Sequence, residues 1–166
     1  MAHVIKKYKM HFLLDFHYSD YWADPGQQNK PDAWKNLSFD ELKEAVHKYT
    51  YDVLYRLKIM DCAPDMVQIG NEIRSGMLFP DGAVPQYRQL AALVNEGIRA
   101  VRELLPETKV MIHLDQGGRY NCIMPWFDSM FNAGMLPIDA IGLSFYSFWH
   151  GTFMDLKDTM SRLIKL

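Results

Sequence analysis

Four short apolar runs dominate this chain. Each is followed by a loop dense in polar and aromatic groups, and then by a longer stretch of helical periodicity. The runs are MHFLLDFH (10–17), DMVQIGNE (65–72), KVMIHLD (109–115) and DAIGLSFY (139–146). Their length and their bounding turn residues predict strands. Between them, the capping box at Ser38 and Glu41, with Leu42, Val46, Tyr49, Val53 and Leu57 at helical spacing, predicts a helix to about Met60. Leu90, Leu93, Val94, Ile98 and Val101 predict another from about Gln86 to Leu105. A short helix is expected near 123–133 and a last one from about Phe153, while the first ten residues read as the end of a helix. SFWHGT, after the fourth run, is expected to be loop. The helical tyrosines, Trp34 and Trp126 are expected in the core.

Alternating βα units predict an α/β fold with a parallel sheet and right-handed crossovers. A doubly wound open sheet and a partial (β/α)8 TIM barrel of four βα units both satisfy that order. No Gly-rich phosphate loop follows any strand, which argues against the nucleotide-binding open sheets. The loops after the strands are long and chemically loaded, whereas those after the helices are short and bland. A barrel keeps its chemistry at the C-terminal ends of its strands. The whole of 1–166 is expected to be one partial domain with no second one.

Bulk properties exclude several partners. The formal net charge is −2 with no basic block, so no nucleic-acid partner is expected. No apolar run approaches the roughly 20 residues that span a bilayer, so no membrane role is expected. MAHVIKKYKM lacks the apolar core of a signal peptide. Cys62 and Cys122 show neither metal-ligand spacing nor a disulfide framework, and are expected to be reduced. Aromatics make up 13% of the chain, which suits a core and equally a cleft where rings stack on sugars.

Side chains alternate faces along a strand. Leu13, Asp15 and His17 share one face of the first strand, and Gln68, Gly70 and Glu72 one face of the second. Met111, His113 and Asp115 share a face of the third, and Gly142, Ser144 and Tyr146 a face of the fourth. Each set grows more polar toward the C-terminal end, as four strands would if they aimed groups at one mouth; a solvated sheet edge is the alternative. In QIGNE, Glu72 at the end of a buried strand in apolar surroundings would have its carboxyl pKa raised, as a general acid requires. The neighbouring amide of Asn71 could bond a sugar hydroxyl. Outside such a setting Glu72 would simply be a first-turn helix carboxylate. His17 and His113 could orient a carboxylate or a hydroxyl, or be core histidines bonded to backbone. His150 is expected in a loop. No HxH or HxxxH pair supports a catalytic metal, and no G-x-S-x-G elbow supports a serine nucleophile. Trp22, Phe145, Tyr146 and Trp149 are expected over the mouth.

DFHYSDYWADPGQQ, VQIGNEI and GLSFYSFWHG, in this order and spacing, resemble glycoside hydrolase family 53, the endo-β-1,4-galactanases. KVMIHLD fits the family's strand between the second and third motifs. The resemblance implies a retaining (β/α)8 glycosidase acting on the β-1,4-galactan side chains of pectin (arabinogalactan), outside the cell or in the periplasm. It implies Glu72 as acid/base and Asn71 as the contact to the sugar 2-hydroxyl. It places Asp15, His17, Trp22, His113, Asp115, Tyr146 and Trp149 as substrate-binding residues. These strands correspond to the third to sixth of the family's barrel.

The family's nucleophile, a Glu on the seventh strand, has no counterpart in this sequence, and neither Asp15 nor Asp115 matches its motif. The chain is therefore expected to be an internal piece, inactive alone, with any signal peptide upstream of it. No cofactor is expected; the calcium that some family members hold lies in a late loop outside this stretch. Open sheet edges would invite pairing with another chain. Two alternatives stay open: a related glycosidase acting on another β-linked polysaccharide, and a non-catalytic half barrel that binds oligosaccharide or assembles with a partner.

Overall fold

The computed structural model describes residues 1–164. In chain order its elements are α1 (Ala2–Lys7), β1 (Leu13–Phe16), α2 (Phe39–Ile59), β2 (Met66–Ile69), β3 (Gly76–Met77), β4 (Gly82–Ala83), α3 (Tyr87–Leu104), β5 (Lys109–Leu114), α4 (Tyr120–Asn132), β6 (Ala140–Leu143), α5 (Ser147–His150) and α6 (Phe153–Leu163). Short 3-10 turns cover Asp32–Trp34 and Ile73–Ser75. β1, β2, β5 and β6 pair in that order, all parallel, so sheet neighbours are also neighbours in sequence. The sheet with its helices is part of a (β/α)8 barrel.

One sheet face carries the core. Phe16, Val67, Ile69, Val110, Ile112 and Leu114 are buried against the helices. On the other face, pairing aligns Asp15, Gln68, Met111 and Ala140 in one row and His113 with Gly142 in the next. α3 buries Leu90, Leu93, Val94, Ile98 and Val101 as its periodicity predicts. α2 differs from its predicted stripe. Its buried positions are Leu42, Val46, Thr50 and Leu54, while Tyr49 and Tyr55 are about half exposed. Thr50 can sit in that stripe because its hydroxyl donates to the Val46 carbonyl at 2.7 Å and pairs with Tyr18 Oη at 2.8 Å. The expected core tyrosines are thus displaced by a polar residue whose bonds are satisfied internally. Trp126 is buried as expected, and Trp34 packs at the edge of the core.

Other boundaries shift for local reasons. The Ser38–Glu41 capping box forms as predicted, and a second one, Thr152–Asp155, opens α6. α4 begins three residues before its expected start and carries Pro125 inside. The expected loop SFWHGT contains the turn of helix α5, closed by Gly151 at φ 101°. β3 and β4 form a small antiparallel ribbon in the loop after β2, a feature the periodicity did not signal. Among the described residues, no helix is long and apolar enough to cross a membrane.

Candidate active site

The polar cluster forms where the four strands end. β2 stops at Ile69 because Gly70 takes φ 79°, and a Cβ there would meet Ile73 Cγ2 at 2.6 Å. Strand alternation therefore ends before Glu72, and the expected shared face of Gln68, Gly70 and Glu72 does not extend that far. Glu72 instead caps the following 3-10 turn in the left-handed region, at φ 50° and ψ 45°. A non-glycine residue held there stores backbone strain, a cost typical of functional positions. Glu72 is half-buried beside His113, and among the described residues it receives no side-chain hydrogen bond.

A hydrogen-bonded network surrounds it. Gln68 Nε2 donates to Asp15 Oδ1 at 2.6 Å, to the Gly70 carbonyl at 3.1 Å and to Asn71 Oδ1 at 3.3 Å. Asn71 Nδ2 donates to the Ala23 carbonyl at 2.7 Å, and the Asn71 carbonyl accepts from Gln28 Nε2 at 2.8 Å. His113 lies 2.8 Å from Asn71 Oδ1 through Nδ1 and 3.0 Å from Ser144 Oγ through Nε2. His17 Nδ1 accepts from the Ala23 amide at 3.2 Å, so its Nε2 carries the proton donated to Asp15 Oδ2 at 3.0 Å. Gly142 leaves room for the His113 ring: a Cβ there would stand 3.2 Å from its Cδ2.

Electrostatics follow from this crowding. Burial pushes the Asp15 carboxyl above its ordinary value, although His17, His113 and Gln68 oppose it. Asp15 still keeps 33% of its side-chain surface, so it is open on the cleft side and enclosed on the others. Burial holds the His113 ring below its ordinary value, against the pull of the Glu72, Asp15 and Asp115 carboxylates.

The predicted residues divide into two groups. Asp15, His17, Asn71, Glu72 and His113 converge, while Trp22 lies edge-on to His17 with ring centroids 5.5 Å apart and is largely exposed. Tyr146 and Trp149, 5.6 Å apart, form an exposed pair after β6, beyond the strand on the other edge of the sheet. Asp115 is buried and held in both of its oxygens by Arg74, at 2.7 Å from Nε and 3.0 Å from Nη2. His150, expected in a loop, is only 4% exposed in α5, with Nδ1 3.1 Å from both the Tyr146 amide and the Ser144 carbonyl. Sequence reasoning placed Gln68 and Ser144 on strand faces aimed at the mouth but gave them no role, and it did not single out Gln28 or Arg74. Gln28 and Gln68 are nearly fully buried polar side chains, a property no local pattern encodes. Among the described residues, no three His, Cys, Asp or Glu side chains gather as metal ligands. Both cysteines are free thiols.

The loop after β1 is fastened over the loop after β2. Besides Gln28, Ser75 Oγ donates to the Pro25 carbonyl at 2.6 Å, and Lys30 Nζ pairs with Asp81 at 2.7 Å. The polar mouth therefore has a fixed wall on one side.

Comparison with known proteins bears on this site. The sequence model described as Glycosyl hydrolase family 53 matches residues 1–166. An arabinogalactan endo-beta-1,4-galactanase from Thermothelomyces thermophilus is 35% identical, over 92% of this chain and 48% of its own length. The catalytic domain of a family 53 enzyme from Ignisphaera aggregans superposes with TM-score 0.94 at 42% identity, over 99% of this chain and 45% of that one. A structure from a study of two fungal beta-1,4-galactanases superposes with TM-score 0.93 at 33% identity, over 99% of this chain and 51% of that one. The chain thus spans about half the length of these relatives.

Proposed function

The chain belongs to glycosyl hydrolase family 53, and we propose that it carries the acid/base half of a retaining endo-β-1,4-galactanase site. The substrate would be the β-1,4-galactan side chains of pectin (arabinogalactan), cut internally by a secreted or periplasmic enzyme. One observation carries the reading: Glu72 stands in a strained turn at the end of β2, beside His113, with no side-chain hydrogen bond tying up its carboxylate.

In this reading the Glu72 carboxyl protonates the departing glycosidic oxygen and then, as carboxylate, takes a proton from the water that releases the glycosyl group. Asn71 presents an N–H to the sugar 2-hydroxyl. Trp22 on one rim, and Tyr146 with Trp149 on the other, offer exposed rings to sugar faces. Asp15, His17 and His113 border the cleavage point, with Asp115 acting through Arg74. Retention requires a second carboxylate roughly 5–5.5 Å from the first. Asp115 is committed to Arg74, and Asp15 to His17 and Gln68. The nucleophile would therefore come from outside these four βα units.

The test compares release of reducing ends from linear β-1,4-galactan by these 166 residues and by a chain extended to the length of the relatives. The expected result is no activity for the former. The extended chain should be active and lose at least 10³-fold in kcat on Glu72→Gln. Activity of the short chain, or survival of activity in the extended Glu72→Gln variant, would overturn the reading. A second reading, a non-catalytic half barrel that binds oligosaccharide or pairs through its open edges, draws on the chain's spanning only about half its relatives. An extended chain that binds galactan oligosaccharides without cleaving them would favour it.

A further inference from the structure

We infer that Ser144 and His113 form a one-way hydrogen-bond relay that ends on Asn71 and fixes the orientation of its amide, making both of them positioning residues rather than substrate contacts. The functional weight of this relay rests on the proposed acid/base role of Glu72, the residue next to Asn71. The geometry of the relay does not.

The direction follows from which atoms can only accept. The Ala23 carbonyl has no proton to give, so the Asn71 atom 2.7 Å from it is the amide nitrogen. The other terminal atom of Asn71 is then the oxygen, and the approach of Gln68 Nε2 at 3.3 Å agrees. That Gln68 nitrogen is itself fixed, because it also faces the Gly70 carbonyl and the Asp15 carboxylate. An oxygen on Asn71 requires a proton on His113 Nδ1 at 2.8 Å. Burial favours the neutral ring, in which a protonated Nδ1 leaves Nε2 bare to accept the Ser144 hydroxyl proton at 3.0 Å.

Ser144 is well placed to hold this end of the relay. Its amide donates to the Leu114 carbonyl at 2.9 Å, and its carbonyl accepts from the Gly117 amide at 2.9 Å. Asn71 is left with an oxygen accepting from His113 Nδ1 and, among the described residues, with one N–H that has no partner and can be offered to a ligand. The acidic groups that act on His113 are Glu72, Asp15 and Asp115, and His17 is the basic one. All four remain when the Ser144 hydroxyl is removed.

The test is long-range 1H–15N correlation of the protein labelled at histidine nitrogens, without any sugar. His113 should show a protonated Nδ1 and a bare Nε2 at pH 7.5. In Ser144→Ala the bare Nε2 loses its donor, so its 15N resonance should move toward that of an unbonded, unprotonated ring nitrogen while Nδ1 stays protonated. Ser144→Thr, which keeps the hydroxyl, should restore the original resonance. Nε2 protonation in the parent protein, or an unchanged Nε2 resonance in Ser144→Ala with the fold intact by circular dichroism, would overturn the relay. Because this readout uses no galactan, a failed cleavage assay would overturn the proposed activity and leave the relay standing.

Discussion

Replacing Arg74 with Met tests how the mouth of the sheet is held. Asp115 keeps only 6% of its side-chain surface, whereas Arg74 keeps 35%. Among the described residues, Arg74 supplies every hydrogen bond that reaches the Asp115 carboxylate. Met preserves the packing of the stem and removes only the fork. A buried carboxylate stranded in this way costs about 3–5 kcal/mol. The Arg end of the pair borders solvent, which places the expected loss at the lower end, about 3 kcal/mol. Removing the carboxylate as well, in Arg74→Met/Asp115→Leu, takes away the stranded charge and should recover about 2 kcal/mol of that loss. Urea unfolding followed by circular dichroism measures both variants, provided the m-values agree. If Arg74→Met lost under about 1 kcal/mol, or if the double variant were no more stable than the single one, Asp115 would not be held as argued.

Four further outcomes follow from the same structure. Gly97→Ala in α3 should gain about 1 kcal/mol of helix propensity. Its Cβ, however, would stand 2.9 Å from Ile69 Cγ2 and 2.9 Å from Tyr18 Oη. Both neighbours are buried, so overpacking of about 1–3 kcal/mol should win and thermal unfolding should show a lower Tm. Ser38→Ala removes the cap of α2 and should cost about 1 kcal/mol by the same measurement. Asp15 takes up a proton more readily folded than unfolded, so its contribution to stability falls as pH rises above its ordinary 3.8; Asp15→Asn should show a flatter profile of urea midpoint between pH 4 and 6 than the parent. His113 has the opposite sign: the unfolded chain binds its proton first, so stability should decline as pH falls below 6.5, and His113→Gln should lose that slope in urea titrations across pH 5–7.

The order of strands and helices was legible because it rests on periodicity. The α3 stripe and the Ser38 capping box are patterns that neighbouring residues impose on one another, and both stand where they were read. The convergence of Asp15, His17, Asn71, Glu72 and His113 was legible for a related reason, since strand ends in a parallel sheet share one side. What escaped depends on contacts far apart in the chain. Thr50 occupies the α2 core stripe because Tyr18, 32 positions away, gives its hydroxyl a partner. Gln28 is buried because it reaches the Asn71 carbonyl across 43 positions. Asp115 reads as a free acid at a strand end until Arg74, 41 positions before it, is brought alongside. The conformation of Glu72 was hidden more locally: alternation extrapolated past Ile69 cannot register that Gly70 turns the backbone.

The order of the sheet also governs how the polar network is held together. Because β1, β2, β5 and β6 are spatial neighbours in chain order, each βα unit leans mainly on the unit before and the unit after it. Such a stack behaves as a short linear array, in which stability is largely a sum over adjoining interfaces. β2 and β5 each have such an interface on both sides, so Gln68 and Asn71 at the end of β2, and His113 on β5, are held between neighbours in both directions.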